Sequence, residues 1–511
     1  MSRPTLSLLF VFFAATGFIA GSAASDWTNS GGNAGRNGLS AETGPSEAEL
    51  LWSSSRPSLI AWLPVTEGER VITVRQADWP YNQPHDAYVV AHDITTGEEL
   101  WATEIPYESG DWIPWVGGVK NGIVYASRAG NGASVSAPLY ALDAADGSTL
   151  WVSDDVIDAG AYDGMVFAPN GDPVIGSFQD IWRISAADGS TVWHASRSGS
   201  VSGTCGGALF GDAFYVADVT GGGHILVRYD LETGQRLYQS PVMDGFTIQN
   251  TPMVDPSGTV YLNRAQNNPA VDFYYAFIDD GTQFIEKWHI PGMGGATAEF
   301  GAGPDGSLYF VTDGPRLSRI DPDTGGILAS TDVLSGFSKA RVAVDAQGNV
   351  YLSNGAFATG RLYAYEADLT PRWEVPVTNI NIGGPSLGAH GTLVVCGVGT
   401  DMRAFRTEDP AGIAWNGAAD VTALRITPTL TRHDASITYR LAEAGPVHLQ
   451  VYDTAGRCVQ TLLSNQRQNA GEHVIHWAGR DTQGHPLPAG SYHFRLLVGT
   501  EQQQGKVVLL P

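Results

Sequence analysis

At 511 residues, the chain is too long for one ordinary core unless that core is repetitive or a large all-β architecture. Its formal net charge is −24, from 53 acidic against 29 basic residues with no Lys/Arg cluster, which excludes the positive field a nucleic-acid partner requires. Cys205, Cys396 and Cys458 stand isolated, against a disulfide framework or zinc site; buried free thiols are expected, with a single bridge left open.

In chain order, residues 1–24 come first. Arg3, an apolar run from Leu6 to Ala20 and small residues through Ala24 have the layout of a secretory signal peptide cut after Ala24 or Ala23. The run is shorter than the roughly 20 residues a spanning helix needs. No later segment qualifies, and the leader offers no cysteine for a lipid anchor. The expected location is therefore extracellular or at the cell surface, with the periplasm as the alternative.

Residues 25–408 repeat themselves. "AHDITTGEELW" ends at Trp101, "ALDAADGSTLW" at Trp151, "RISAADGSTVW" at Trp193 and "RYDLETGQRLY" at Tyr238. Worn copies end at Trp288, Ala329 and Trp373. Upstream of most copies lies an apolar hairpin such as "TPMVDPSGTVYL" or "RVAVDAQGNVYL". A hairpin, a strand, a turn built on Asp and Gly, and a last strand make four short strands per unit, which predicts propeller blades.

Asp93 with Gly97, and Asp143 with Gly147, are expected to reverse the chain. The aromatics Trp52, Trp101, Trp151, Trp193, Tyr238, Trp288 and Trp373 are expected to fill the space between neighbouring sheets. Counting Trp52 in "AELLWSSS" gives eight positions, 41 to 50 residues apart. "DMRAFR" has no last strand after it, so the strand at Leu50–Trp52 is expected to pair with Met402–Phe405. The result is an eight-bladed β-propeller closed by the N-terminal strand, which leaves no open edge.

Ala91, Asp93, Gly97 and Trp101, and again Ala141, Asp143, Gly147 and Trp151, fit the pattern A-x-D-x-x-x-G-x-x-x-W. In this the chain resembles the PQQ-like quinoprotein propellers, and "WTNSGGNAGRNGLS" from Trp27 resembles the opening of many of them. The resemblance implies one of two lives. One branch holds dehydrogenases that bind pyrroloquinoline quinone and calcium, typically with adjacent cysteines; the other holds non-catalytic members such as the assembly lipoprotein BamB. Here the cysteines lie far apart and the blades leave little loop for a cofactor chamber, so no cofactor and no enzymatic activity are expected.

Residues 409–420 read as a Gly/Ala/Asp-rich linker, and the aromatic repeat stops there. About seven short strands over 421–511 suit an immunoglobulin-like β-sandwich. "VYDTAGR" (451–457), "HWAGRDTQG" (476–484) and "PAGSYHFRL" (488–496) resemble the Ig-like domain of FlgD and the type A sorting domains of type IX secretion. That resemblance implies partners in secretion or cell-envelope machinery. A purely structural sandwich is the alternative.

No nucleophile, Walker or metal-ligand motif stands out, and the 12 histidines lack paired spacing, so neither catalytic nor metal residues are expected. One concave region is expected where inter-blade loops converge on the channel. Its candidate residues are Trp112, Trp115, Gln249, Asn250, Lys339, Arg341, Asn379 and Asn381, a mixture suited to an extracellular protein or glycan. The competing reading makes the tryptophans core caps and the amides loop ties.

Overall fold

The computed structural model describes residues 26–407 and 421–509, apart from short interior stretches of which 55–61, 76–86 and 244–250 are the longest. The chain divides into two compact units, Met1–Thr407 and Glu408–Pro511.

The first unit is eight separate sheets. Seven run consecutively along the chain: blade 1 (65–104), blade 2 (111–158), blade 3 (165–196), blade 4 (207–239), blade 5 (253–292), blade 6 (301–330) and blade 7 (339–376). Blade 8 takes Ser386–Gly388, Thr392–Cys396 and Met402–Phe405 from the end of the unit and Leu50–Ser54 from its start. The closing pair is antiparallel, with Trp52 opposite Ala404 and Ser54 opposite Met402. Blade 7 carries one extra strand, Thr297–Ala298, parallel to Lys339–Val344.

Burial follows position within a blade. The middle strands Arg70–Arg75 and Tyr88–Asp93 are buried through their central four residues, as expected for sheets covered on both faces. The outer strand Glu99–Glu104 buries Trp101 alone.

The turn before each outer strand is set by its own side chains. Asp93 Oδ1 accepts the amides of Thr95 at 2.9 Å and Thr96 at 2.8 Å, and Gly97 takes φ +72°, open to glycine without a Cβ penalty. The aromatic of one blade then reaches the turn of the next. Trp52 Nε1 donates to Ile94 O at 2.9 Å, Trp101 to Ala144 O at 3.0 Å, Trp193 to Leu231 O at 2.8 Å and Trp288 to Pro322 O at 2.9 Å. Trp151 and Trp373 make the same bond to Ala186 O and Pro45 O. Each bond satisfies a buried polar indole while its ring fills the gap. Gly147 lies so close beneath Trp101 that a Cβ there would meet the ring at 2.5 Å.

Two junctions depart from this rule. Between blades 4 and 5, the Tyr238 hydroxyl donates to the Asp279 carboxylate, which also accepts Tyr215 Oη at 2.7 Å. Between blades 6 and 7 no aromatic stands at position 329. There Leu369 takes the left-handed conformation, φ +71°, and its buried side chain joins a cluster against which Ala329 packs. Tyr309 Oη supplies the bond to the turn, 2.8 Å to Ala367 O.

The second unit has eight described strands in two sheets. Val421–Thr427, Ala435–Leu441 and Gly471–Trp477 form one; Leu430–Thr431, Glu501–Leu509, Gly490–Val498, Gly445–Tyr452 and Cys458–Gln468 form the other. The strand beyond the expected seven is the two-residue Leu430–Thr431, parallel to Val508–Leu509, too short to register in a sequence pattern. Gly445–Tyr452 alternates buried and half-buried residues along its length, the signature of a strand with one face on a core. That core holds Ile437, Leu449, Val451, Phe494 and Trp477, whose ring centre lies 5.1 Å from Phe494. All three cysteines are free; Cys205 and Cys396 are buried, but Cys458 is exposed.

Candidate functional site

Eight inner strands face the axis of the ring, each with an edge its blade leaves open along at least part of its length, blade 7 covering only Lys339 and Ala340 with Thr297–Ala298. Residues 27–40, which belong to no blade, make one circuit of those edges. Trp27 O accepts Thr66 N of blade 1 at 2.8 Å, and Thr28 O accepts Val119 N of blade 2 at 2.9 Å. Asn29 Nδ2 donates to Met165 O of blade 3 at 3.0 Å. Ala34 O accepts Leu209 N of blade 4 at 2.8 Å, and Gly35 O accepts Val254 N of blade 5 at 2.7 Å. Asn37 O accepts Ala302 N of blade 6 at 2.8 Å; Gly38 O accepts Val344 N of blade 7 at 2.7 Å. Ser40 Oγ closes the circuit on Leu387 O of blade 8 at 3.4 Å.

The glycines of this segment are a packing requirement. A Cβ on Gly35 would lie 2.7 Å from Val254 O, and one on Gly38 would lie 2.6 Å from Val342 O. At these two positions no side chain fits between the segment and the strand it faces.

Arg36 is the electrostatic anchor. It is 5 % exposed; its Nε donates to Gly207 O at 2.7 Å, and Nη1 donates to Asp163 O at 2.6 Å and Ser30 O at 3.0 Å. The Asp163 carboxylate, fully enclosed, accepts Gly206 N at 3.0 Å and the Thr251 hydroxyl. Burial pushes this carboxyl upward from its ordinary range, while the Arg36 guanidinium and the amides of Gly206 and Cys205 pull it down.

Of the residues expected at the channel mouth, Trp115, Arg341, Asn379 and Asn381 have described side chains. Trp115 is 1 % exposed, packed with Trp62, Met165 and Ile382 in one cluster; the capping alternative describes it. Arg341 is buried and donates from Nη1 to Ser30 Oγ at 2.7 Å, turned toward the N-terminal segment. Asn379 and Asn381 hold left-handed turns at φ +53° and +34°, and Asn381 N donates to Ala356 O. Trp112 and Lys339 lie on the strands Asp111–Lys120 and Lys339–Val344, with side chains outside the described residues, as are Gln249 and Asn250 altogether.

Sequence reasoning missed Asn29, Arg36, Asn37 and Asp163. The available signal was the position of "WTNSGGNAGRNGLS": a glycine- and asparagine-rich stretch ahead of the first repeat, with no blade to complete. Among the described residues, no group of three or more His, Cys, Asp or Glu is placed to hold a metal ion. Two clefts flank the altered junctions. One of about 620 Å³ is lined by Leu334, Arg361, Tyr363, Tyr365, Leu369 and Arg372; one of about 400 Å³ is lined by Phe210, Tyr215, Arg228 and Asp279.

Residues 85–277 match the family model described as outer membrane protein assembly factor BamB, and residues 423–502 match the FlgD Ig-like domain. The chain joins a BamB-like propeller to a FlgD Ig-like domain. The BamB-like match spans the last two strands of blade 1, blades 2 to 4 and part of blade 5.

Among solved structures, quinohemoprotein alcohol dehydrogenase from Comamonas testosteroni is 14 % identical, with 91 % of this chain and 82 % of that one covered at a TM-score of 0.50. BamB from Moraxella catarrhalis is 12 % identical over 71 % of this chain and 99 % of its own, at 0.47. PorZ, a surface component of the type IX secretion system of Porphyromonas gingivalis, is 12 % identical over 92 % and 60 %, at 0.36. At such identities the likeness is one of fold, and these neighbours include dehydrogenases beside BamB. No curated protein matches the chain by sequence. Among the described residues, no helix is long and apolar enough to cross a membrane.

Proposed function

We propose that this protein is an exported, non-enzymatic propeller that presents an interaction surface to an extracellular protein or glycan and is sorted or attached through its FlgD Ig-like domain. The observation that supports this reading is the occupation of the inner-strand edges. The edges that would receive a ligand at the axis are bonded to residues 27–40 of the same chain.

A quinone-and-calcium centre, which the resemblance implies for the dehydrogenase branch, calls for carboxylates left open to a hard cation. The buried carboxylates beside the inner strands are already spent on neighbours. Asp163 serves Gly206, Cys205 and Thr251; Asp345 serves Gly44 N at 3.0 Å and Asn349 Nδ2 at 2.8 Å; Asp255 serves Tyr261 Oη at 2.8 Å. Among the described residues, these three carboxylates do not fit the group.

Fractionation of the native host tests the reading, comparing the full chain with one ending at Asp420. Only the full chain should reach the surface or medium, and dye-linked activity with added quinone and calcium should stay at background. Retention of both forms in the periplasm would defeat the sorting role; quinone-dependent turnover would defeat the non-enzymatic one.

The match to the BamB description over residues 85–277 favours a second reading, a periplasmic scaffold for outer-membrane assembly. Capture of outer-membrane assembly components by the chain ending at Asp420, from periplasmic extracts, would place this reading first.

A further inference from the structure

We propose that the ring of inner strand edges is a peptide-binding groove in its own right, which residues 26–44 fill as a separable ligand. The occupant class is an extended, glycine- and asparagine-rich segment carrying one arginine.

Three observations carry this. First, the segment pairs with all eight blades yet completes none of their sheets. Its bonds are chiefly main-chain amide to main-chain carbonyl, the same currency by which an added strand is recognised at a sheet edge. Second, its specificity is written in its own side chains. Gly35 and Gly38 permit contact that any Cβ would block, and Arg36 reaches Gly207 O and Asp163 O through a buried guanidinium. Third, the covalent tie to the ring comes to the surface after Pro45. Gly44 and Pro45 are buried, Ser46, Glu47 and Glu49 are exposed, and the strand Leu50–Ser54 then closes blade 8.

Seating and closing are thus distinct acts of one N-terminal piece. Leu50–Ser54 completes a blade by strand pairing; residues 27–40 dock into a groove that exists only when all eight inner edges are in place. No outside ligand reaches those edges while the segment is seated.

The test uses the full chain with a protease site inserted between Glu47 and Ala48, cleaved after folding. The expected result is that the released N-terminal fragment stays bound one-to-one through size exclusion and native mass spectrometry. A fluorescently labelled synthetic peptide of residues 26–45 should then exchange into the cleaved protein. The same peptide with Arg36→Ala should compete about tenfold less well or worse, as expected for loss of hydrogen bonds from a charged donor. A scrambled peptide of identical composition should not compete.

Departure of the fragment from a ring that stays folded overturns the proposal, as does equal competition by the scrambled peptide. Unfolding on cleavage also overturns it, since the segment is then part of the fold and not a ligand of it.

Discussion

The junction between blades 1 and 2 and the junction between blades 6 and 7 solve one problem with different residues. In the first, one tryptophan does two jobs: the Trp101 ring covers Gly147, and its Nε1 bonds Ala144 O. In the second the jobs are divided. Leu369 fills space from the turn side, and Tyr309 Oη bonds Ala367 O from the second strand of blade 6. The difference teaches that the brace has a volume part and a hydrogen-bond part, and that the two are separable. It also has a local cost, because a leucine at φ +71° gives up roughly 1–2 kcal/mol relative to an unstrained backbone.

The largest effect should come from cutting the undivided brace. Trp101→Ala removes ring and donor together, and a loss of about 3–5 kcal/mol is expected from denaturant unfolding. The corresponding position of the divided junction is already Ala329, so Ala329→Gly should shift the same midpoint far less. Equal losses at the two positions would break the comparison.

Next in size is a graft. Ala329→Trp alone should overpack against the Leu369 cluster and cost about 1–3 kcal/mol. Adding Leu369→Gly relieves both the crowding and the backbone strain, so the double variant should recover most of that loss. A double-mutant cycle with coupling below about 0.5 kcal/mol would show that leucine and tryptophan are not exchanging one space.

Smaller again is the hydrogen bond taken alone. Tyr309→Phe leaves the ring in place and removes the donor to Ala367 O, for an expected loss of about 1 kcal/mol. In the Ala329→Trp, Leu369→Gly background an indole can take over that carbonyl, and the same change should cost less.

Another effect, confined to alkaline pH, is one of titration. Burial raises the Tyr309 hydroxyl to about 12, against about 10 in an unfolded chain. Between those values the folded state keeps a proton the unfolded state has lost, so stability falls as pH rises through the window. The Tyr309→Phe variant should show a shallower fall over that window than the parent in parallel thermal melts. Identical slopes would mean that Tyr309 does not couple to folding.

What was legible in the sequence was whatever repeats. Trp101 and Trp151 stand out because each ends a turn with Asp and Gly at fixed offsets, and physics needs those residues wherever a blade meets its neighbour. Closure by Leu50–Ser54 was legible for the same reason, since "DMRAFR" lacked a partner that "AELLW" could supply. The segment around Arg36 was not. Its partners are main-chain groups spread from Thr66 to Leu387, and main-chain pairing imposes no periodicity on side chains. Leu369 was hidden too, because its turn is one residue shorter and a leucine carries no mark of a left-handed backbone. Arg341 read as a cation for a ligand, yet it serves Ser30.

The strand that seals the ring is also its exit. Met402–Phe405 lies between Thr392–Cys396 and Leu50–Ser54, with Phe405 opposite Leu393 on one side and Leu50 on the other. Two residues later the chain passes into the second unit. Tension applied through a tethered tail is therefore delivered to the seam itself, beginning where Thr407 bonds Glu47 and Arg406 N bonds Glu49 O. There it is shared between the oldest strand of the propeller to leave the ribosome and one of the last, so a pull on the tail tests the circumference before it reaches the interior of any other blade.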